Sequence, residues 1–144
     1  CASVWVSTNS GETFDPVGQI TEQGIGNLAS VAVAPSGDVF AIDGNSNVYR
    51  SEGDLATWTL VGLVPADPKG IQYIAAGADG ALYAATPTSA CAGACDPTTS
   101  GGWFFRSPDN GVTWTKATDW LEGGSGSGWL SMAVSKYAPT QPTD

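Results

Sequence analysis

Histidine is absent from the 144 residues, which removes the commonest general base and the commonest metal ligand. Basic residues are scarce: five Lys and Arg face fourteen Asp and Glu, for a net charge of -9. Such a surface repels phosphate backbones and anionic headgroups, so nucleic acid and anionic membranes are excluded as partners. No apolar run approaches the roughly 20 residues of a membrane span. No segment carries a 3.6-residue hydrophobic period, so little or no helix is expected. Cysteine occurs three times, at Cys1, Cys91 and Cys95. A four-cysteine zinc centre is therefore excluded and, without histidine, so are the mixed ones.

What is present points to sheet. The chain is 42% hydrophobic, with six tryptophans, 19 glycines and nine prolines. That reads as one domain of many short strands joined by turns, with enough apolar material for a core. Cys91 and Cys95 lie in the Gly/Ser/Thr/Pro-rich stretch "TSACAGACDPTTSGG". A disulfide between them would close that loop and suit an oxidising compartment; two free thiols are the plainer reading. Cys1 is left over, as the lipid-bearing first residue of a mature chain, as half of an intermolecular disulfide, or with no role of its own.

Three stretches repeat. They are "STNSGETF" at 7–14, "SEGDLATW" at 51–58 and "SPDNGVTW" at 107–114. Each opens with serine (Ser7, Ser51, Ser107) and closes with threonine and an aromatic (Thr13–Phe14, Thr57–Trp58, Thr113–Trp114). The first and third carry Asn9 or Asp109 third and Gly11 or Gly111 fifth. The middle copy is degenerate, with Asp54 shifted by one place and Leu55 where glycine belongs. The copies begin 44 and 56 residues apart, and the longer interval contains the cysteine loop. A period in the mid-forties is that of a four-stranded propeller blade. The flanks "SVWVS", "NVYRS" and "WFFRS" repeat as strands, as do the hairpin patterns "LASVAVAPSGDVFAIDG" and "IQYIAAGADGALYAAT". Within the turn, the Asp109 carboxylate can accept backbone N–H groups, Gly111 can take a positive φ, and Trp114 can bury its face on the sheet. This is a structural staple.

"SPDNGVTW" resembles the Asp-box, S-x-D-x-G-x-T-W, of the BNR-repeat propellers: sialidases, xyloglucan-type glycoside hydrolases, sortilin-like receptors and photosystem-assembly propellers. "STNSGETF" is similar, with Asn for Asp and Phe for Trp. The resemblance implies an all-β chain of about three four-stranded blades and an incomplete ring, the box being the turn from the third strand of a blade to the fourth. The expected division is a half blade at 1–27, blades at 28–69 and 70–128, a closing strand at 129–135 and a tail at 136–144. A closed propeller needs at least four blades, so the missing ones are expected from self-association or from the remainder of a longer protein.

Function is less legible, because families sharing this fold differ in activity. Loops at the end opposite the boxes hold Asp43, Asp96, Asp119 and Glu122 with Trp103 and Trp120 nearby. Carboxylates beside tryptophan suit carbohydrate binding, so these residues form the candidate ligand face. "DGNSN" at 43–47 resembles the start of a calcium loop but lacks the sixth-position glycine and distal glutamate; a tight turn accounts for it as well. No other cofactor or metal is expected. A sialidase-like site needs an arginine cluster, and the chain has only Arg50 and Arg106, both placed just before a box serine. A xyloglucanase-like hydrolase needs two opposed carboxylates about 5–10 Å apart; Asp43 and Asp119 are the pair to consider. No residue is assigned a catalytic role. The favoured reading is a non-catalytic, extracellular or cell-surface structural and binding module, with Ser/Thr/Pro tracts suited to O-glycosylation.

Overall fold

The computed structural model describes residues 2–20, 27–66, 71–86 and 103–116. All regular structure among them is strand, in antiparallel sheets without a closed ring. Strands β1 (Ala2–Val6) and β2 (Asp15–Ile20) form a two-stranded hairpin. Strands β3 (Leu28–Val33), β4 (Val39–Asp43), β5 (Asn47–Ser51) and β6 (Thr59–Leu63) form a four-stranded meander. Strands β7 (Tyr73–Ala76), β8 (Leu82–Ala85), β9 (Phe104–Ser107) and β10 (Thr115–Lys116) repeat it. The expected half blade and two full blades are thus present as sheets. The expected strand at 129–135 and tail at 136–144 lie outside the described residues.

The sequence explains the layering. β4 reads VFAID and is buried throughout, as a strand covered on both faces should be. The inner strand β3 alternates instead: Ala32 is buried while Val31 and Val33 are 49% and 67% exposed. The core lies between the two meanders. Ala32, Ala34, Phe40, Ile42 and Val48 of the first pack against Ile74, Leu82, Ala84 and Phe105 of the second. A smaller cluster joins Ile20 of the two-stranded hairpin to Ala41 and Tyr49, with Leu28 and Trp58 at its edge.

One close approach recurs at both sheet-to-sheet seams. On β2, a Cβ added to Gly18 would fall on the carbonyl oxygen of Leu55, in the next sheet's turn. On β6, a Cβ added to Gly62 would fall on the carbonyl oxygen of Gly111, again in the next sheet's turn. Both glycines follow a shift of register in their strand pairing, between Ser3 and Trp5 for β1–β2 and between Val48 and Tyr49 for β5–β6. The bulge turns the strand so that bare backbone faces the neighbour.

Gly62→Ala is expected to destabilise the chain by roughly 1–3 kcal/mol, since the added methyl meets backbone that cannot rotate away. Gly37→Ala, a positive-φ turn site with open space around it, is expected to cost only about 1 kcal/mol. Urea unfolding of the two variants checks the order; equal losses would mean that the seam yields easily.

Candidate functional site

The three repeated turns share one hydrogen-bond plan. At the third turn, Ser107 Oγ accepts the Gly111 N–H at 2.9 Å and donates to Asp109 at 2.8 Å. The Asp109 carboxylate also accepts the Thr113 N–H at 2.9 Å and the Thr113 hydroxyl at 2.6 Å. Trp114 Nε1 donates to the Gly111 carbonyl at 2.9 Å. At the first turn, Ser7 Oγ accepts the Gly11 N–H at 2.8 Å, and Asn9 Oδ1 accepts from Ser7 Oγ and from the Thr13 N–H. Being an amide, Asn9 donates to the Thr13 hydroxyl at 2.8 Å, where Asp109 accepts from Thr113. Phe14 has no donor to reach back with and is 57% exposed.

The degenerate middle turn keeps the plan by another route. Ser51 Oγ accepts the Leu55 N–H at 3.0 Å, so Leu55 occupies the glycine position and takes φ 56° to do so. Gly53 takes φ 90° in front of it. The Asp54 carboxylate, one residue late in sequence, still accepts from Ser51 Oγ and from both the N–H and hydroxyl of Thr57. Trp58 Nε1 donates to the Leu55 carbonyl at 3.1 Å. These bonds hold the Asp54 and Asp109 carboxyls below their ordinary pKa, the threonine hydroxyl contributing most in each case.

At the same end, each meander carries an ion pair between its first turn and the end of its third strand. Arg50 meets Asp38 at 3.1 Å, and Arg106 meets Asp79 at 3.3 Å. Arg106 also lies over the Tyr83 ring, and its pKa is raised, first by Tyr83 and then by Asp79. The Ala81 amide, more than Arg106, lowers the Asp79 carboxyl. Both arginines therefore serve as sheet clamps. In the two-stranded hairpin the same place is held by Val6.

The opposite end holds the residues considered for a ligand. Asp43 is fully buried, not displayed on a loop. Its oxygens accept from the Asn45 and Asn47 N–H groups, from Asn47 Nδ2 at 3.0 Å and from the Tyr49 hydroxyl. That network closes the β4–β5 turn, where Ser46 takes φ 69°, and it accounts for "DGNSN" without calcium. The described residues contain no cluster of three or more side chains suited to a metal. Trp103 is half-buried against the core: its ring meets Phe105 edge-on at 6.4 Å, and Lys116 Nζ sits 4.0 Å from its centre. It is a packing residue with one face taken by a cation. Asp96, Asp119, Trp120, Glu122, Cys91 and Cys95 lie outside the described residues.

Sequence reasoning missed the concavity that does exist at this end. A cleft of about 470 Å³ opens between the starts of β3 and β7. Asn27, Gln72 and Tyr73 give it neutral hydrogen-bonding groups, over an apolar floor that includes Leu28 and Ile71. None of the described lining residues is a carboxylate. Charge was the signal followed in the sequence, and amides carry none.

No protein-family model matches the chain, and no curated protein matches it. Solved structures do. A YCF48 structure bound to a D1 peptide superposes with a TM-score of 0.59 at 16% identity, over 79% of this chain and 33% of that one. An ancestral GH74 enzyme superposes with a TM-score of 0.56 at 23% identity, over 85% of this chain and 16% of that one. The chain spans about a third and a sixth of those lengths. At these identities the likeness shows the fold alone, and that fold is the β-propeller.

Two outcomes test the turns. Ser107 is fully buried, so Ser107→Ala strands the Gly111 N–H and is expected to cost roughly 1–3 kcal/mol. The lowered pKa of Asp54 and Asp109 means that their stabilisation is present above about pH 4, the unfolded value, and is lost as pH falls through the folded values. Urea midpoints from pH 7 to pH 2 are expected to show a shallower acid decline in the Asp54→Asn/Asp109→Asn double variant. An unchanged decline would place the acid sensitivity elsewhere.

Proposed function

We propose that this chain is a run of Asp-box propeller blades serving as a non-catalytic structural and binding module at the cell surface or outside the cell. Strands from beyond these residues, in a longer polypeptide or another chain, complete its half blade. The observation that carries this reading is a comparison of two inner strands. Val31 and Val33 of β3 occupy the same repeat positions as Ile74 and Ala76 of β7, counted from the hairpin turns that follow them. Ile74 and Ala76 pack against the preceding meander. Val31 and Val33 face the side where the preceding unit has only its outer two strands, and they are bare. A missing inner hairpin would cover them and bond to the open edge of β1. Reduced charge, Ser/Thr/Pro tracts and a loop able to close through Cys91 and Cys95 support an extracellular setting.

Supplying that hairpin tests the reading. Asn47 of β5 and Ser3 of β1 hold equivalent positions, each four residues before a box serine. A variant with residues 28–46 copied directly ahead of Ser3 should therefore gain a complete first blade. Covering the two valines contributes about 2 kcal/mol, so the melting temperature is expected to rise by several degrees. The β1 amides should also become protected from hydrogen exchange. An unaltered melt with β1 still exchanging would reject the reading.

The cleft at Asn27, Gln72 and Tyr73 favours a second reading, carbohydrate binding, because neutral amides and a phenol suit sugar hydroxyls. The absence of a carboxylate among its described lining residues makes binding, not hydrolysis, the activity to test. Calorimetry against a panel of plant and bacterial polysaccharides is expected to give binding that Tyr73→Ala weakens about tenfold. Binding indifferent to that substitution would place the site elsewhere.

A further inference from the structure

The half blade has a second bare face, and the two complete seams show what would fit it. Trp5, Tyr49 and Phe105 share one repeat position, two residues before a box serine. Tyr49 and Phe105 are 2% and 1% exposed, because each faces the preceding sheet; Trp5 is 58% exposed. Phe14 stands where Trp58 and Trp114 stand, and they pack into the seam clusters while it is exposed. Trp5, Phe14 and the Ser7–Phe14 turn are thus a seam surface without its other half.

At the complete seam, that other half is a shallow seat. The turn at Gly111 lies on Gly62, with Val48 and Val61 packed beside it. The half blade presents the same three residue types, Val4, Val17 and Gly18, and seats the turn at Leu55 on Gly18. The second meander does not. Phe104 replaces the valine and is stacked on Tyr83 with ring centres 5.7 Å apart. Ala117 and Thr118 stand in sequence where the second valine and the glycine should be; both lie outside the described residues. A ring in place of Val48 would occupy the space into which Gly111 fits, since a Cβ on Gly111 would already lie 3.1 Å from the Val48 methyl.

We infer that the Trp5–Phe14 face is the docking surface for a propeller blade presenting valine, valine and glycine in the places of Val48, Val61 and Gly62. A second copy of this chain does not supply that blade, because its last outward face carries Phe104 instead. The inference rests on the propeller reading, and it assigns the kind of partner that the face accepts.

Restoring the seat tests it. The Phe104→Val/Thr118→Gly chain and the wild-type chain would be compared by sedimentation velocity over a concentration series, each with and without Trp5→Asp. The restored chain is expected to associate end to end at least tenfold more tightly than wild type, and Trp5→Asp should abolish the gain. Circular dichroism establishes that each variant is folded, and Phe104→Leu/Thr118→Gly serves if the valine variant is not. A folded restored chain with no Trp5-dependent gain would overturn the inference. So would wild-type association of equal strength that Trp5→Asp removes. Either result is independent of the hairpin-copy experiment, which reads the inner strands alone.

Discussion

The arrangement depends on backbone meeting backbone. A peptide carbonyl at the tip of each turn rests on a glycine of the sheet before it, with no side chain between. That contact brings adjacent sheets close enough for Ala32, Phe40, Ile42 and Val48 to mesh with Leu82, Ala84 and Phe105. The turn must hold its carbonyl in place for this to work, and the buried serine hydroxyl does so by capturing the amide of the same residue, Leu55 or Gly111. The tryptophan after the turn then hydrogen-bonds the very carbonyl that makes the seam. Local turn chemistry and long-range packing are therefore one interaction seen from two sides.

The middle turn shows how much sequence drift that interaction tolerates. Moving the acid by one residue and losing the glycine would each ordinarily dissolve such a motif. Here Gly53 absorbs the displacement, Leu55 accepts a left-handed backbone, and every acceptor role is refilled. The requirement is for oxygen atoms at given points in space, and more than one residue order can put them there.

The architecture was legible in the sequence because its signals are local: turn residues at set spacing and strands that alternate or run apolar. The Ser-to-Thr pattern announced even the degenerate turn. The seam glycines were not legible, because Gly18 and Gly62 look like ordinary strand glycines until the neighbouring sheet is in place. The ligand face was misjudged for a similar reason. Asp43 reads as a loop acid, yet two asparagine amides and a tyrosine hydroxyl two strand positions away from the turn draw it inside. Trp103 reads as an exposed platform, yet Lys116 covers one side of it. Arg50 and Arg106 were placed at the correct end, but their partners Asp38 and Asp79 come from turns 12 and 27 residues away.

A contact in which a tip enters and a glycine receives has a direction. Leading and trailing surfaces of a blade are chemically unlike, one offering a carbonyl and aromatic rings, the other small aliphatic groups and naked main chain. Arcs built this way obey a polarity rule: like surfaces have nothing to exchange, so twofold pairing of identical ends gains no seam, and growth of an arc proceeds in a single rotational sense.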